Sequence, residues 1–138
     1  MWNFEESEKN IQRALELEPN NAVLIGTAAL MTYGNLEKTI DLLKKAIKLD
    51  PLVYTNYYNL GHNYYLLNRL DDAMKAFNKF SAYYPNSQLL HYMKGKVLLA
   101  QGNKEEALIE FEKETSEFFS LYGKNFIYFA IGSQLISK

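Results

Sequence analysis

The sequence contains no cysteine, only three prolines and almost no net charge. Without cysteine the chain has no disulfides, no thiolate zinc ligands and no cysteine nucleophile. Its 15 Lys and Arg residues nearly balance its 16 Asp and Glu residues, so no overall field attracts it to nucleic acid or to anionic lipid. We therefore expect neither a nucleic-acid-binding protein nor a membrane protein.

Long apolar runs are also missing. The amino-terminal stretch MWNFEESEKN carries acidic residues early and has no apolar core, unlike a secretory signal. The most apolar stretch, NFIYFAIGSQLI at 125–136, is shorter than the roughly 18–20 residues that a membrane-spanning helix needs. These features predict a cytoplasmic protein with no transmembrane segment.

Motifs for catalysis and for metal or cofactor binding are absent as well. The two histidines, His62 and His91, are not spaced i, i+4 as a helical metal-binding pair would be. The sequence has no glycine-rich phosphate loop and no serine nucleophile motif. Acidic pairs such as Asp71 and Asp72 stand where helices are expected to start, and negative charge stabilises that end of a helix. We predict no enzymatic activity, no metal site and no cofactor.

The sequence does have a repeat with a period of 34 residues. Pro51 and Pro85 are separated by this interval, and each follows a predicted helical segment. The pattern predicts that each unit contains a helix A, a tight turn, a helix B and a second turn. Three further series keep the interval: Gly34, Asn68 and Gly102; Thr39, Ala73 and Ala107; and Leu43, Phe77 and Phe111.

The central unit, YTNYYNLGHNYYLLNRLDDAMKAFNKFSAYYPN, resembles the tetratricopeptide repeat. The residues that carry the resemblance are Tyr57, Leu60, Gly61, Tyr64, Leu70, Ala73, Phe77 and Pro85. The resemblance implies an all-α fold, in which antiparallel helix hairpins stack into a right-handed α-solenoid. It also implies close contacts between small residues of the two helices, which we expect to place Gly61 against Ala73 and Gly95 against Ala107.

Extended over the whole chain, the pattern predicts a single domain of this kind. Residues 1–19 would be a partial unit with helix B alone, and residues 20–53, 54–87 and 88–121 would be repeats. Residues 122–138 would form a carboxyl-terminal capping helix. The last repeat is more diverged than the central one, because Lys94 replaces the usual leucine and no proline closes the unit.

Helix A residues line the concave groove of tetratricopeptide repeat proteins, so the resemblance implies a peptide-binding groove there. Aromatic residues at helical spacing are more often core than surface, and we expect Tyr57, Tyr64 and Phe77 to be core. Tyr58, Tyr65 and Tyr92 are expected to be exposed instead. The predicted groove residues are Tyr58, Asn59, His62, Tyr65, Leu66, Tyr92, Met93 and Lys96.

We therefore predict a non-catalytic adaptor or scaffold that mediates protein–protein interactions by binding a peptide or a partner helix. The alternative is a structural assembly module that homo-oligomerises through its terminal helices. The aromatic tail is consistent both with a homodimer surface and with a cap that closes the solenoid. The tail aromatics are Phe118, Phe119, Phe126, Tyr128 and Phe129.

Overall fold

The computed structural model of the chain describes residues 3–32 and 34–136. Within these ranges the chain forms eight α-helices and no strand, which confirms the prediction of an all-α fold. The helices are α1 Phe4–Leu17, α2 Ala22–Leu30, α3 Leu36–Leu49, α4 Thr55–Leu66, α5 Leu70–Ser81, α6 Leu90–Ala100, α7 Lys104–Lys113 and α8 Glu117–Ile136. They form two compact units, α1–α4 and α5–α8, divided between Arg69 and Leu70.

Tight turns of one kind recur at the predicted 34-residue interval. Gly34, Asn68 and Gly102 all adopt the left-handed backbone conformation, with φ of 77°, 57° and 87°. Glycine and asparagine tolerate this conformation, whereas a residue with an ordinary side chain is strained there. Each of these turns follows a helix A (α2, α4 or α6) and precedes a helix B (α3, α5 or α7), so the predicted positions of the turns between helix A and helix B are confirmed.

In the first unit, α3 packs against both α2 and α4, and α1 packs against α2. Helix α3 is amphipathic because its buried residues Ile40, Leu43 and Ala46 recur every three residues on one face. Helix α2 starts at a strong cap: the side chain of Asn21 accepts hydrogen bonds from the backbone N–H groups of Val23 and Leu24, at 3.0 and 3.1 Å. The apolar face of α3 and the cap of α2 fix this pair of helices, and α4 packs against α3.

In the second unit, the ring of Phe111 on α7 is fully buried between two glycines. A Cβ atom added at Gly95 of α6 would lie 2.3 Å from Phe111 Cε1, and one added at Gly123 of α8 would lie 2.3 Å from Phe111 Cδ1. Ala107 is also fully buried. The expected partner of Gly95 was Ala107, whereas its nearest neighbour is Phe111, because the large ring fills the space that the glycine leaves.

Helix α8 begins at Glu117, earlier than the predicted start at residue 122. Only residues 114–116 link it to α7, whereas residues 82–89 link α5 to α6. The earlier start lets α8 pack against both α6 and α7. The other predicted boundaries, before residues 20, 54 and 88, fall between helices; that the chain is a single domain stays a prediction.

Candidate interaction surfaces

The predicted groove residues of the first unit share one face of α4. Asn59, His62 and Leu66 follow Tyr58 by one, four and eight residues, a spacing that keeps them on one side of a helix. His62 and Leu66 are exposed, and Tyr58, Asn59 and Tyr65 are half-buried. We call these five residues the α4 face. The opposite side of α4 is buried, which confirms that Tyr64 is a core residue, although Tyr57 is only half-buried.

Contacts on the buried side hold the α4 face in position. The side chain of buried Asn56 lies so close to α2 that a Cβ atom added at Gly26 would be 2.3 Å from its Oδ1 atom. The side-chain amide of Asn63 donates a hydrogen bond to the backbone carbonyl of Asn59 at 2.8 Å. The close approach at Gly26 was not identified from the sequence, because nothing in the 34-residue pattern pairs Gly26 with Asn56.

On α6, Tyr92 and Met93 are buried and do not face an open groove, so the expectation that they are exposed is wrong. The side chain of Tyr92 is 8% exposed. Its ring centroid lies 5.3 Å from that of Phe119 and 6.3 Å from that of Tyr122, both on α8. Packing of α8 against α6 therefore converts a predicted binding residue into a core residue.

Lys96 is the predicted groove residue of α6 that keeps partial exposure. Its ammonium nitrogen lies 5.5 Å from the centroid of the Tyr92 ring, which is within the range of a cation–π contact. Desolvation by partial burial lowers the pKa of Lys96 below its usual value. The arrangement leaves one positive group over a buried aromatic ring.

A buried carboxylate, Glu110 of α7, organises a polar cluster between α6 and α7. Its oxygens lie 2.8 Å from His91 Nδ1 and 2.9 Å from Lys113 Nζ, with Lys94 Nζ at 3.9 Å. Burial alone would raise the pKa of Glu110, but the hydrogen bonds from His91 and Lys113 and the charges of Lys94 and Lys113 outweigh burial and lower it. The other ring nitrogen of His91 lies 2.9 Å from the carbonyl oxygen of Pro85, so both ring nitrogens have a partner.

A second buried carboxylate, Glu114, caps the amino-terminal end of α6. Helix α6 begins after Leu89, which has a left-handed backbone and no side-chain cap of its own. The Glu114 carboxylate accepts hydrogen bonds from the backbone N–H groups of Leu89 at 3.2 Å, Tyr92 at 3.0 Å and Ser116 at 3.1 Å. This one side chain therefore connects the first turn of α6 to the α7–α8 linker.

Neither buried carboxylate was predicted, although the sequence contains a signal for both. Glu110 and Phe111 follow Ala107 by three and four residues, so these three lie on one face of α7, and Glu114 continues the same spacing one residue beyond the end of the helix. Charged residues on a predicted apolar face indicate buried polar contacts, because an unpaired buried charge is too costly to keep. Their hydrogen-bond partners were not predictable, because these belong to other helices.

No group of three or more His, Asp or Glu residues lies close enough together to hold a metal ion among residues 3–32 and 34–136. None of the helices described there combines the length and apolarity needed to cross a membrane. The cytoplasmic location stays a prediction.

Comparisons with known proteins agree with the helical hairpins. A profile of the tetratricopeptide repeat family matches residues 58–117. The small glutamine-rich tetratricopeptide repeat-containing protein 2 of Mycosarcoma maydis is 32% identical over 80 residues, which cover 56% of this chain and 23% of that protein. Anaphase-promoting complex subunit 3 of Schizosaccharomyces pombe is 29% identical over 110 residues, which cover 78% of this chain and 16% of that protein. This chain thus spans less than a quarter of the length of either relative.

Solved structures show the same fold. A crystal structure of MamA superposes with a TM-score of 0.79 at 21% identity, covering 94% of this chain and 79% of that one. A second crystal structure of MamA gives a TM-score of 0.72 at 20% identity, covering 88% of this chain and 64% of that one. At this level of identity the similarity establishes the arrangement of helices alone.

Proposed function

Because the chain belongs to the tetratricopeptide repeat family, we propose that it is a non-catalytic adaptor that binds a peptide or a partner helix on the α4 face. Proteins built from these repeats are protein–protein interaction or scaffold modules, so the general role follows from the family. The observation that carries the specific proposal is the α4 face itself, where tyrosine, histidine and leucine side chains are accessible on the side opposite the core.

The composition of the α4 face indicates the chemistry of the partner. Tyr58 and Tyr65 offer large, rigid contact area with a polar hydroxyl at the tip, and Leu66 offers an apolar contact. Asn59 and His62 can make hydrogen bonds to a polar backbone or side chain. The helix sequence TNYYNLGHNYYL contains no charged residue, so we expect an amphipathic, weakly charged ligand whose affinity depends little on salt.

The predicted residues of α6 contribute differently. Tyr92 and Met93 are buried, so we assign them to the support of α6 and not to ligand contact. Lys96 remains a candidate contact, because the residue is only half-buried and its ammonium group lies over the Tyr92 ring. It would suit an acidic or carbonyl-rich group on a partner.

A peptide library displayed on phage and selected against the purified chain tests this proposal. Selected peptides should bind the variant His62→Ala with Leu66→Ala at least about tenfold more weakly. Both positions are exposed, so this variant should keep its helical circular dichroism. Leu52→Ala provides the matched control, because Leu52 is 65% exposed and lies outside α4. Peptides that bind the double variant and the wild type equally well would contradict the proposal, as would a selection that enriches no peptide.

A second candidate function, structural assembly through terminal helices, is supported by a separate observation. Helix α8 exposes several large aromatic side chains, including Phe118 and Phe129. Monomeric soluble proteins rarely expose contiguous apolar patches of this kind. We therefore propose homo-oligomerisation as a property that accompanies partner binding.

A further inference from the structure

Helix α8 carries large apolar side chains on an exposed side as well as on its buried side. One side packs against the rest of the second unit through buried Gly123 and Ile127 and half-buried Phe119. The other side carries five large side chains, which we call the α8 stripe. They are Phe118, Leu121, Tyr122, Phe126 and Phe129, with exposures of 68%, 59%, 48%, 41% and 79%. A helix that is apolar on all sides is normally buried on all sides.

The area of the α8 stripe is what a dimer interface needs. Its exposed fractions amount to about three whole side chains of about 200 Å² each, or about 600 Å² per copy. Two such surfaces would bury about 1,200 Å² together, the lower end of the range for stable, specific interfaces. Two charged residues occur between positions 117 and 129, Glu117 and Lys124. Both project away from the centre of the stripe, so pairing buries no charge there.

A seam with alternating spacings of four, three and four residues runs along the stripe; it consists of Phe118, Tyr122 and Phe129 of the stripe together with the exposed Asn125. This is the spacing by which two helices pack along a shared line. The rings are already ordered along it: Phe118 and Tyr122 are stacked, with centroids 5.9 Å apart and planes at 7°. Leu121 lies on one flank of the seam, and Phe126 lies on the other.

We propose that α8 pairs antiparallel with α8 of a second copy, about a twofold axis at the level of residues 123–124. In this register Phe118 of each copy opposes Phe129 of the other, and Tyr122 of each copy opposes Asn125 of the other. Every apolar seam residue meets an apolar one, and the phenol hydroxyl of Tyr122 meets the amide of Asn125. The antiparallel direction also places the positive end of each helix dipole beside the negative end of the other.

This inference deepens the second candidate function and is independent of the first. The α8 stripe belongs to the second unit, whereas the α4 face belongs to the first. Failure of the pairing would leave peptide selection on the α4 face unaffected. Failure of peptide selection would leave the solution mass, and so the measured dimerisation, unaffected.

Light scattering over a range of concentrations tests whether the chain associates. We expect a monomer–dimer equilibrium for the wild type, and a dissociation constant raised more than about thirtyfold by Phe118→Glu with Phe129→Glu. Leu52→Glu, at an exposed position of the first unit, should leave the constant unchanged. A wild-type mass that stays monomeric at all concentrations would overturn the proposal, and so would a double variant that dimerises normally.

Cross-linking tests the register, and because the sequence has no native cysteine, only the introduced cysteines can react. Phe118→Cys and Phe129→Cys, carried by copies of different size and mixed, should be joined by a short bis-maleimide. Phe118→Cys alone should give little product, because two copies of residue 118 would be about 16 Å apart along the pair. Efficient linkage of Phe118→Cys to itself would indicate a parallel pair and refute the register. Failure of the mixed pair to link would refute it as well.

Discussion

Replacement of Gly123 by alanine should destabilise the second unit, because the added methyl group would enter the ring of Phe111. The new Cβ would lie 2.3 Å from Cδ1 and 2.6 Å from Cε1 of that ring, and ordinary contact begins at 3.4 Å. The ring would have to withdraw by about 1 Å from a fully packed position. Gly95 borders the same ring, with a Cβ added there 2.3 Å from Cε1, so the ring has little space in which to move.

Two opposing effects set the size of the change. Glycine to alanine in a helix interior normally stabilises by about 1 kcal/mol, because alanine has the higher helix propensity. Overfilling a packed core costs about 1–3 kcal/mol, and here the obstacle is a rigid ring. We expect the overpacking cost to exceed the propensity gain, and Gly123→Ala and Gly95→Ala each to lower the free energy of unfolding by about 1 kcal/mol.

Urea denaturation followed by circular dichroism measures these changes. The decisive variant is Phe111→Leu, because a smaller side chain makes room for the methyl group. In that background Gly123→Ala should be neutral or stabilising, a coupling of at least about 1 kcal/mol. Asn78→Ala, at an exposed position of α5, provides the control for helix propensity alone. The packing argument is refuted if Gly123→Ala stabilises the wild type as Asn78→Ala does, or if the cycle shows no coupling.

Three further predictions concern the buried carboxylates and the turns. Glu110→Gln should lower the free energy of unfolding by about 1–3 kcal/mol at pH 7. The folded pKa of Glu110 is lowered, so the stability that its carboxylate contributes is complete above the unfolded pKa and disappears as the pH falls through the folded pKa. Urea titrations should therefore show a smaller difference in unfolding free energy between wild type and variant at acid pH than at neutral pH. A difference that does not change with pH contradicts this. Glu114→Ala should lower the free energy of unfolding by about 1–3 kcal/mol and speed amide hydrogen exchange at Tyr92, whose backbone N–H loses its acceptor. An unchanged exchange rate would show that the cap is dispensable. Gly102→Ala and Asn68→Ala should each lower the free energy of unfolding by about 1 kcal/mol, measured by thermal or urea denaturation, because both positions have positive φ. Asn68→Gly should leave it nearly unchanged.

The repeat and its turns were predictable from the sequence because their causes are local. A backbone with positive φ favours glycine or asparagine for local steric reasons, so Gly34, Asn68 and Gly102 mark the same turn in three repeats. The α4 face was predictable for a similar reason. Once Leu60 and Tyr64 are assigned to the core, helical periodicity places His62 and Leu66 on the other side.

The start of α8 and the burial of Tyr92 were not predictable, because they depend on contacts between distant segments. A fixed interval of 34 residues places the next helix A near residue 124, whereas α8 starts at Glu117. Gly123 therefore takes the role of Gly95 at a distance of 28 residues, and a search at one period does not find it. The short linker is possible because Glu114 anchors it to the first turn of α6.

The position of α8 also decides which surfaces of the second unit remain for a partner. By placing Phe119 on Tyr92, α8 covers the part of α6 that the repeat pattern assigns to ligand binding. The same helix turns Phe118 and Phe129 outward, so apolar surface removed from α6 is replaced by apolar surface on α8. The early start of α8 thus covers helix A surface on α6 and exposes apolar surface on α8, and this exposed surface is the one that we propose pairs with a second copy.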